Sequence, residues 1–376
     1  MIYLDNASTT KPSENVKNAV IDAMENFGNP SSMHRLGIDA EKIVKNSKSE
    51  VAKVLGVNSD DIFFTSGGTE ANNTAILGYC RRNKKRGTHI VVSAIEHPSV
   101  SVPFKKLSEE GFVVSVVGVD DRGVLNIDEF QKSLREDTIF VSCMWVNNET
   151  GIIQPVDKLK EIMKKISPRA ILHVDGVQAF GKIECKPNKS GIDMMSVSGH
   201  KIHAIKGIGA LYVKNGINFD PHLIGGGQQK DKRSGTENVV GIAAIGAAAR
   251  EIDLSKDRVS NLRDRLEAGL KENIENVKIN GEGEKSPYIL NVSFPGIKAE
   301  ILLHALENHG IYVSTGSACS TNKPMPSPVL TAMGLKREEI MGAVRFSLSE
   351  DITEEDIDKT ILAVKKEVEN IRRIMR

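Results

Sequence analysis

A lysine and an aspartate, each following an apolar run typical of a strand, are the residues that point most directly to chemistry. Lys201 closes the segment Ser198-Gly199-His200-Lys201, and Asp175 follows residues 171–174 earlier in the chain. A lysine amine can hold an aldehyde cofactor as a Schiff base, and a carboxylate can keep a pyridine nitrogen protonated. Pyridoxal phosphate needs both groups. Taken alone, each residue also fits an ordinary role, because loop lysines are usually solvated and strand-end aspartates often cap turns.

Further polar segments follow other predicted strands. Gly68 and Thr69 lie between a strand and a helix, where free amides and a hydroxyl suit a phosphate. His97 comes before a proline-started helix, and its ring suits stacking on a flat cofactor and proton transfer. The amide of Asn148 suits a ring hydroxyl or a substrate carboxylate. Each has a plainer alternative: a helix N-cap, a loop histidine and an Asx turn, respectively.

The remaining candidates flank these positions or lie far along the chain. Gln178 follows Asp175 closely, and Ser198 and His200 precede Lys201, where they suit the cofactor ring and phosphate. Arg345 interrupts an apolar strand pattern, and a guanidinium there suits bidentate capture of a carboxylate or a surface ion pair. Cys319 lies among small polar residues, so it is either a mobile nucleophile or an inert exposed thiol.

The elements that position these residues alternate between strand and helix from about residue 60 to residue 213. Apolar, β-branched runs alternating with helices predict an α/β fold with a mostly parallel sheet covered on both faces. Ligands of such sheets bind beyond the carboxyl ends of the strands. The rhythm changes near Leu254. We expect a large cofactor-binding domain over 12–253 and a smaller α+β domain over 254–376. The smaller domain also includes residues 1–11, and it carries the Cys319 loop.

Composition narrows the functional classes. The formal net charge is +1 and no apolar run has membrane-spanning length, so we expect neither a nucleic-acid partner nor a membrane. The basic run 81–86 fits a solvated helix end better than an RNA-contacting patch. The four widely spaced cysteines lack a CxxC pair, and the chain start lacks a signal-peptide pattern. We therefore expect a cytoplasmic protein with no metal site and no disulfide framework.

Taken in order, these segments closely resemble the cysteine desulfurases, pyridoxal-phosphate enzymes of the type I fold. The resemblance runs from the segment 3–10 to the segment 345–348, and includes 28–32, 233–238 and 317–319. The extended segment after Cys319 resembles the long-loop class, which includes nitrogen-fixation and housekeeping iron–sulfur enzymes. It implies a homodimer that converts L-cysteine to L-alanine and leaves a persulfide on Cys319. The persulfide would pass to an acceptor for iron–sulfur cluster assembly or tRNA thiolation.

The resemblance also implies a role for each candidate residue. Lys201 holds the cofactor and moves protons, Cys319 attacks the substrate sulfur, and Arg345 with Asn148 holds the substrate carboxylate. Cofactor binding is expected of the following residues: Gly68, Thr69, Ser198 and His200 at the phosphate, Thr236 there from the second subunit, His97 stacked on the ring, Asp175 at its nitrogen, and Asn148 and Gln178 at its oxygen.

Two departures from the family pattern keep alternatives open. The segment His203-Ala204-Ile205 replaces the usual aromatic, glycine and proline after Lys201, and we expect an altered pocket wall there. The chain ends soon after its last predicted helix, where housekeeping members usually carry a longer tail that docks the scaffold protein. A selenocysteine lyase-like enzyme, or a specialised desulfurase that depends on an accessory protein, therefore remains an alternative.

Overall fold

The computed structural model describes residues 1–255, 258–315 and 326–375. The chain begins with strand β1 (Ile2–Tyr3) and two helices, α1 (Glu14–Glu25) and α2 (Arg35–Leu55). Ser13 caps α1, because its side chain accepts a hydrogen bond from the Val16 amide. α2 ends at Gly56, whose φ of 65° is left-handed and therefore suits glycine.

A seven-stranded sheet lies at the centre of the larger part of the described chain. Its strands are β2 (Ile62–Thr65), β3 (His89–Ser93), β4 (Val113–Val117), β5 (Thr138–Ser142), β6 (Ile171–Asp175), β7 (Met194–Ser198) and β8 (Gly209–Val213). They are ordered β2-β8-β7-β6-β5-β3-β4. Strands β4, β3, β5, β6 and β7 pair in parallel, whereas β8 runs antiparallel between β7 and β2. The prediction of a mostly parallel sheet is confirmed.

Helices cover both faces of this sheet. They are α3 (Gly68–Asn73), α4 (Tyr79–Asn83), α5 (Pro98–Glu109), α6 (Ile127–Ser133), α7 (Val156–Ile166), α8 (Pro187–Ser190) and α9 (Val239–Glu251). A π-helical turn, Thr74–Gly78, joins α3 to α4. Successive strand side chains enter different cores: Val91 lies in one cluster, whereas Ile90 and Val92 lie in the other. This alternation is expected of a sheet that is buried on both faces.

The carboxyl-terminal part of the chain builds a second, antiparallel sheet with its own apolar core. Its elements are α10 (Arg258–Asn273), β9 (Lys278–Ile279), β10 (Ile289–Ser293), α11 (Ala299–Glu307), β11 (Ile311–Tyr312), β12 (Ser314–Thr315), α12 (Pro328–Ala332), α13 (Arg337–Met341), β13 (Ala343–Ser347) and α14 (Glu354–Met375). The sheet order is β12-β13-β10-β9. The start of the chain joins this part, because β1 pairs with β11 and Leu4 lies in the same core.

The structure agrees with the pattern predicted after residue 60. The alternation of strand and helix predicted from about residue 60 to residue 213 is observed, from β2 to β8. No helix was predicted before residue 60, yet this segment forms α1 and α2, which pack on α9. In the described ranges, no helix is both long and apolar enough to cross a membrane.

Candidate active site

A cavity of about 240 Å³ lies beyond the carboxyl ends of the central strands. Its lining includes ten of the residues predicted from the sequence: Gly68, Thr69, His97, Asn148, Asp175, Gln178, Ser198, His200, Lys201 and Arg345. These residues come from separate stretches of the chain, and the strand order brings them together. Because parallel strands end at the same edge of a sheet, the polar segments that follow them converge there.

Lys201 lies in a single 3₁₀ turn, Gly199–Lys201, directly after β7. Its Nζ donates to two backbone carbonyls of the amino-terminal segment, Ala7 O at 2.7 Å and Ser8 O at 2.6 Å. Residues 7 and 8 follow closely after Asp5, which forms a β-bridge with Ser347. The amine of Lys201 is therefore held in the cavity by contacts from the smaller part of the fold.

Asp175 ends β6 and is buried, with 4 % of its surface exposed. Its Oδ1 accepts from the Val177 amide at 3.0 Å, and its Oδ2 accepts from Asn72 Nδ2 at 2.8 Å. These donors hold the carboxylate in one orientation at the cavity wall. A buried carboxylate of this kind is suited to the protonated nitrogen of a pyridine ring.

His97 caps α5, and its side chain also lines the cavity. The Ser99 amide donates to His97 Nδ1 at 3.1 Å, and Ser99 Oγ lies 2.8 Å from the same nitrogen. Since Nδ1 accepts, the proton of the neutral ring is assigned to Nε2. Burial lowers the pKa of His97, and the charge of Asp175 opposes this effect only in part. A neutral, flat imidazole is therefore available to stack on a ring.

The amino-terminal residues of α3 also line the cavity. A Cβ added to Gly68 would lie 2.8 Å from Val177 Cγ2, so the backbone approaches this wall more closely than a larger residue allows. Thr69, Ser198 and His200 line the same cavity, and Ser198 Cβ lies 3.6 Å from the Cβ position at Gly68. Burial and the charges of Lys201, Lys206 and Lys182 lower the pKa of His200 to about 4. This cluster of amides, hydroxyls and a neutral imidazole suits a phosphate group.

Arg345 reaches the cavity from β13 in the smaller part of the fold and is 7 % exposed. Its guanidinium donates to Asp5 Oδ1 at 2.9 Å, Ser8 Oγ at 2.7 Å and Asn148 O at 2.9 Å. Its buried Nε has no hydrogen-bond partner among the described residues. Asp5 partly neutralises the charge, while the guanidinium retains donor capacity for a carboxylate ligand.

Two predicted residues are not placed in this cavity. Thr236 is exposed and does not line it, although Arg233 in the same loop pairs with Glu70 of α3 at 3.0 Å. Cys319 lies outside the described residues. The segment His203-Ala204-Ile205 does not line this cavity, but His203 lines a neighbouring cavity that shares Lys201, and the altered pocket wall stays a prediction.

Several residues of the site were missed by sequence reasoning. Asn72 and Ser99 link Asp175 to His97, and the start of the chain supplies Ala7 O and Ser8. The asparagine pair after Glu70 carried no pattern that separates it from an ordinary helix residue. The segment 3–10 matched the family, but its backbone contacts with Lys201 depend on the strand pairing of β1 and β11.

Comparison with known proteins decides the family. The model of the aminotransferase class-V family matches residues 2–360. The chain belongs to this family. It is 42% identical over 380 residues to a protein from Nostoc sp. named cysteine desulfurase, covering 99% of this chain and 94% of the relative. It is 41% identical to a cysteine desulfurase IscS 1 from Archaeoglobus fulgidus, covering 99% of this chain and 98% of that relative.

Solved structures agree with this membership. A NifS-like protein superposes with a TM-score of 0.91 at 38% identity, covering 97% of this chain and 98% of that one. Another from Rickettsia africae gives a TM-score of 0.89 at 32% identity, covering 98% and 99%. The resemblance and the type I fold predicted from the sequence are confirmed. Class-V aminotransferases use pyridoxal phosphate. In this cavity the carboxylate of Asp175 suits the ring nitrogen of that cofactor, the imidazole of His97 suits its ring, and the backbone at Gly68 suits its phosphate.

Proposed function

We propose that this protein is a pyridoxal-phosphate-dependent cysteine desulfurase that converts L-cysteine to L-alanine and carries the sulfur as a persulfide on Cys319. The observation that supports this most strongly is the cavity in which Lys201, Asp175, His97 and Arg345 meet. When bound, the cofactor supplies a protonated ring that withdraws electrons from the substrate. The names of the full-length relatives favour cysteine as that substrate.

The positions of the chain's own residues in the cavity support the following roles. Arg345 and the amide of Asn148 orient the substrate carboxylate, while Lys201 covalently holds the cofactor and then moves a proton at its Nζ. In the overall step the carbon–sulfur bond of cysteine breaks and a sulfur–sulfur bond to Cys319 forms. A proton goes to the substrate carbon, so alanine leaves and Cys319 keeps the persulfide.

The other three cysteines are poorly suited to be that nucleophile. Cys80, Cys143 and Cys185 are buried, and burial raises the pKa of each thiol. Because the thiolate is the reactive form, these positions disfavour attack on sulfur. This supports Cys319 as the acceptor of sulfur. The free thiols also agree with a reducing compartment, and we propose a cytoplasmic location.

We further propose a homodimer in which Thr236 completes the phosphate site of the second subunit. Thr236 is exposed within one chain, and its loop is held against α3 by the Arg233–Glu70 ion pair. Light scattering should give twice the mass of the chain, and Thr236→Ala should weaken cofactor binding without changing the mass. A monomer that binds the cofactor with unchanged affinity would contradict this assembly.

The activity is tested by incubating the purified protein with L-cysteine and measuring alanine and sulfide. We expect Cys319→Ala to remain yellow but to lose sulfide release, and Cys143→Ala to retain activity as the matched control. Activity of Cys319→Ala that survives only with selenocysteine would favour a lyase instead. Transfer of labelled sulfur to a purified iron–sulfur scaffold or to a tRNA thiolase would then identify the class of acceptor.

A further inference from the structure

A second cavity adjoins the cofactor cavity at Lys201. It has a volume of about 410 Å³, and Lys201 lines both cavities. Lys182 and Tyr288 line only the second one. Lys182 lies in the turns that follow β6 and is only 8 % exposed, yet the roles assigned above do not use it. A buried ammonium is costly unless it is paired or hydrogen-bonded, so the contacts of the Lys182 amine decide what it can do.

The surroundings of the Lys182 amine are mostly unfavourable to its charge. Burial, together with the charges of Lys201 and Arg345, lowers the pKa of Lys182 to about 7. The amine lies 5.9 Å from the centre of the Tyr288 ring, a modest cation–π contact. The same cavity is also lined by Lys11, Glu14, His203, Glu251, Glu350 and Asp351. Three of these carboxylates bond to other groups: Glu14 pairs with Lys17, Glu251 accepts from Ser13, and Glu350 accepts from the Tyr288 hydroxyl.

Within the described part of the chain, the Lys182 amine donates one hydrogen bond, to Gln178. Lys182 Nζ donates to Gln178 Oε1 at 2.7 Å, and Gln178 Nε2 donates to Ala7 O at 2.8 Å. Ala7 O also accepts from Lys201 Nζ. A charged lysine amine only donates, so it requires the oxygen of the Gln178 amide to face it. The nitrogen of that amide must then face Ala7 and the cofactor cavity.

We propose that Lys182 is a positioning residue that fixes the amide of Gln178, so that Gln178 presents a donor to the ring oxygen of pyridoxal phosphate. Gln178 Nε2 carries two hydrogens, and one remains after the bond to Ala7 O. Without Lys182 the amide can turn over and present its oxygen instead. The inference rests on the proposed function, in which Lys201 carries the cofactor.

The test is an absorbance titration of the holoenzyme with pH. A positive charge and a donor at the ring oxygen both ease the loss of the proton held at the Lys201 nitrogen. We expect Lys182→Met to retain the cofactor but to raise the pH midpoint of its absorbance change by about one unit. Lys182→Arg, which keeps a charged donor, should restore most of the difference. Lys11→Met removes a charge from the same cavity without contact to Gln178, and its midpoint should stay at the wild-type value.

A double-mutant comparison separates positioning from charge. Gln178→Leu should raise the midpoint by itself, and adding Lys182→Met to it should cause a smaller shift than in the wild type. Shifts that simply add, or a wild-type midpoint in a folded Lys182→Met protein, would overturn the inference. If Lys182→Met fails to fold, Lys182→Ala takes its place in both comparisons, with the same expected and contradicting results. A wild-type protein that binds no cofactor would instead contradict the proposed function.

Discussion

Asn72 Nδ2 lies 2.8 Å from Asp175 Oδ2 and 2.9 Å from Ser99 Oγ, so one amide joins the carboxylate to the residue that holds His97. Asn72 is completely buried, and its Oδ1 has no partner among the described residues. Within the described part of the chain, the Asn72 side chain is therefore oriented by the two hydrogen bonds that its Nδ2 donates. It sets the orientation of the two groups that we propose to contact the cofactor ring.

Replacing Asn72 should weaken cofactor binding in a graded way. Asn72→Ala removes one donor to Asp175, and we expect the affinity for pyridoxal phosphate to fall about tenfold. Asn72→Asp also places a second carboxylate beside Asp175, so its loss should be larger. The measurement is a titration of the cofactor-free variants followed by absorbance. Equal affinities for Asn72→Asp and the wild type would show that Asp175 is not oriented through this contact.

Arg345 should determine the affinity for substrate rather than for cofactor. Arg345→Lys keeps the charge but loses the planar fork, so KM for L-cysteine should rise about tenfold to hundredfold. The absorbance of the bound cofactor should remain unchanged. Arg265→Lys, on the exposed pair with Asp358, is the matched control and should leave KM unaltered. A normal KM in Arg345→Lys would remove Arg345 from the substrate site.

Glu149 should make the stability of the fold depend on pH. Burial raises its pKa to about 7, and Ser327 Oγ donates to its Oε2 at 2.5 Å. The folded state holds the proton of Glu149 more tightly than the unfolded chain does. Proton binding at Glu149 therefore contributes its full stabilisation of the fold below the ordinary pKa of a glutamic acid. It is lost as the pH rises from that value towards about 7.

The corresponding measurement is chemical denaturation at about pH 5 and about pH 8. Glu149→Gln removes this titration. The decrease in the free energy of unfolding from about pH 5 to about pH 8 should therefore be about 2–3 kcal/mol smaller in Glu149→Gln than in the wild type. Glu25→Gln, at an exposed position of α1, should behave like the wild type. If the free energy of unfolding changed with pH equally in Glu149→Gln and in the wild type, Glu149 would not be the group responsible.

The sequence predicted those parts of the site that directly follow strands. Lys201, Asp175 and His97 were identifiable because a buried parallel strand has a clear apolar pattern and the polar residue after it is marked by contrast. The elements α1 and α2 were not assigned, since their amphipathic pattern lies among loop-forming residues and is stabilised by packing on α9. Their burial, not their local sequence, defines them.

The remaining contacts depended on pairing between distant segments. Ser8 and Ala7 reach Lys201 only because β1 joins β11 and Asp5 bridges Ser347, which no local pattern indicates. Lys182 was missed because a lysine in a turn is ordinarily solvated, whereas its amine here lies over the ring of Tyr288, which is distant in the sequence. Thr236 remains a prediction, since one chain leaves it exposed.

The account depends above all on Lys201 as the residue that carries the cofactor. Reduction of the holoenzyme with borohydride makes that bond permanent, and peptide mass spectrometry then locates the added mass. We expect the cofactor mass on the peptide containing Lys201 and an unmodified Lys182 in the neighbouring cavity. The mass on Lys182 or another lysine, with Lys201 unmodified, would contradict the account.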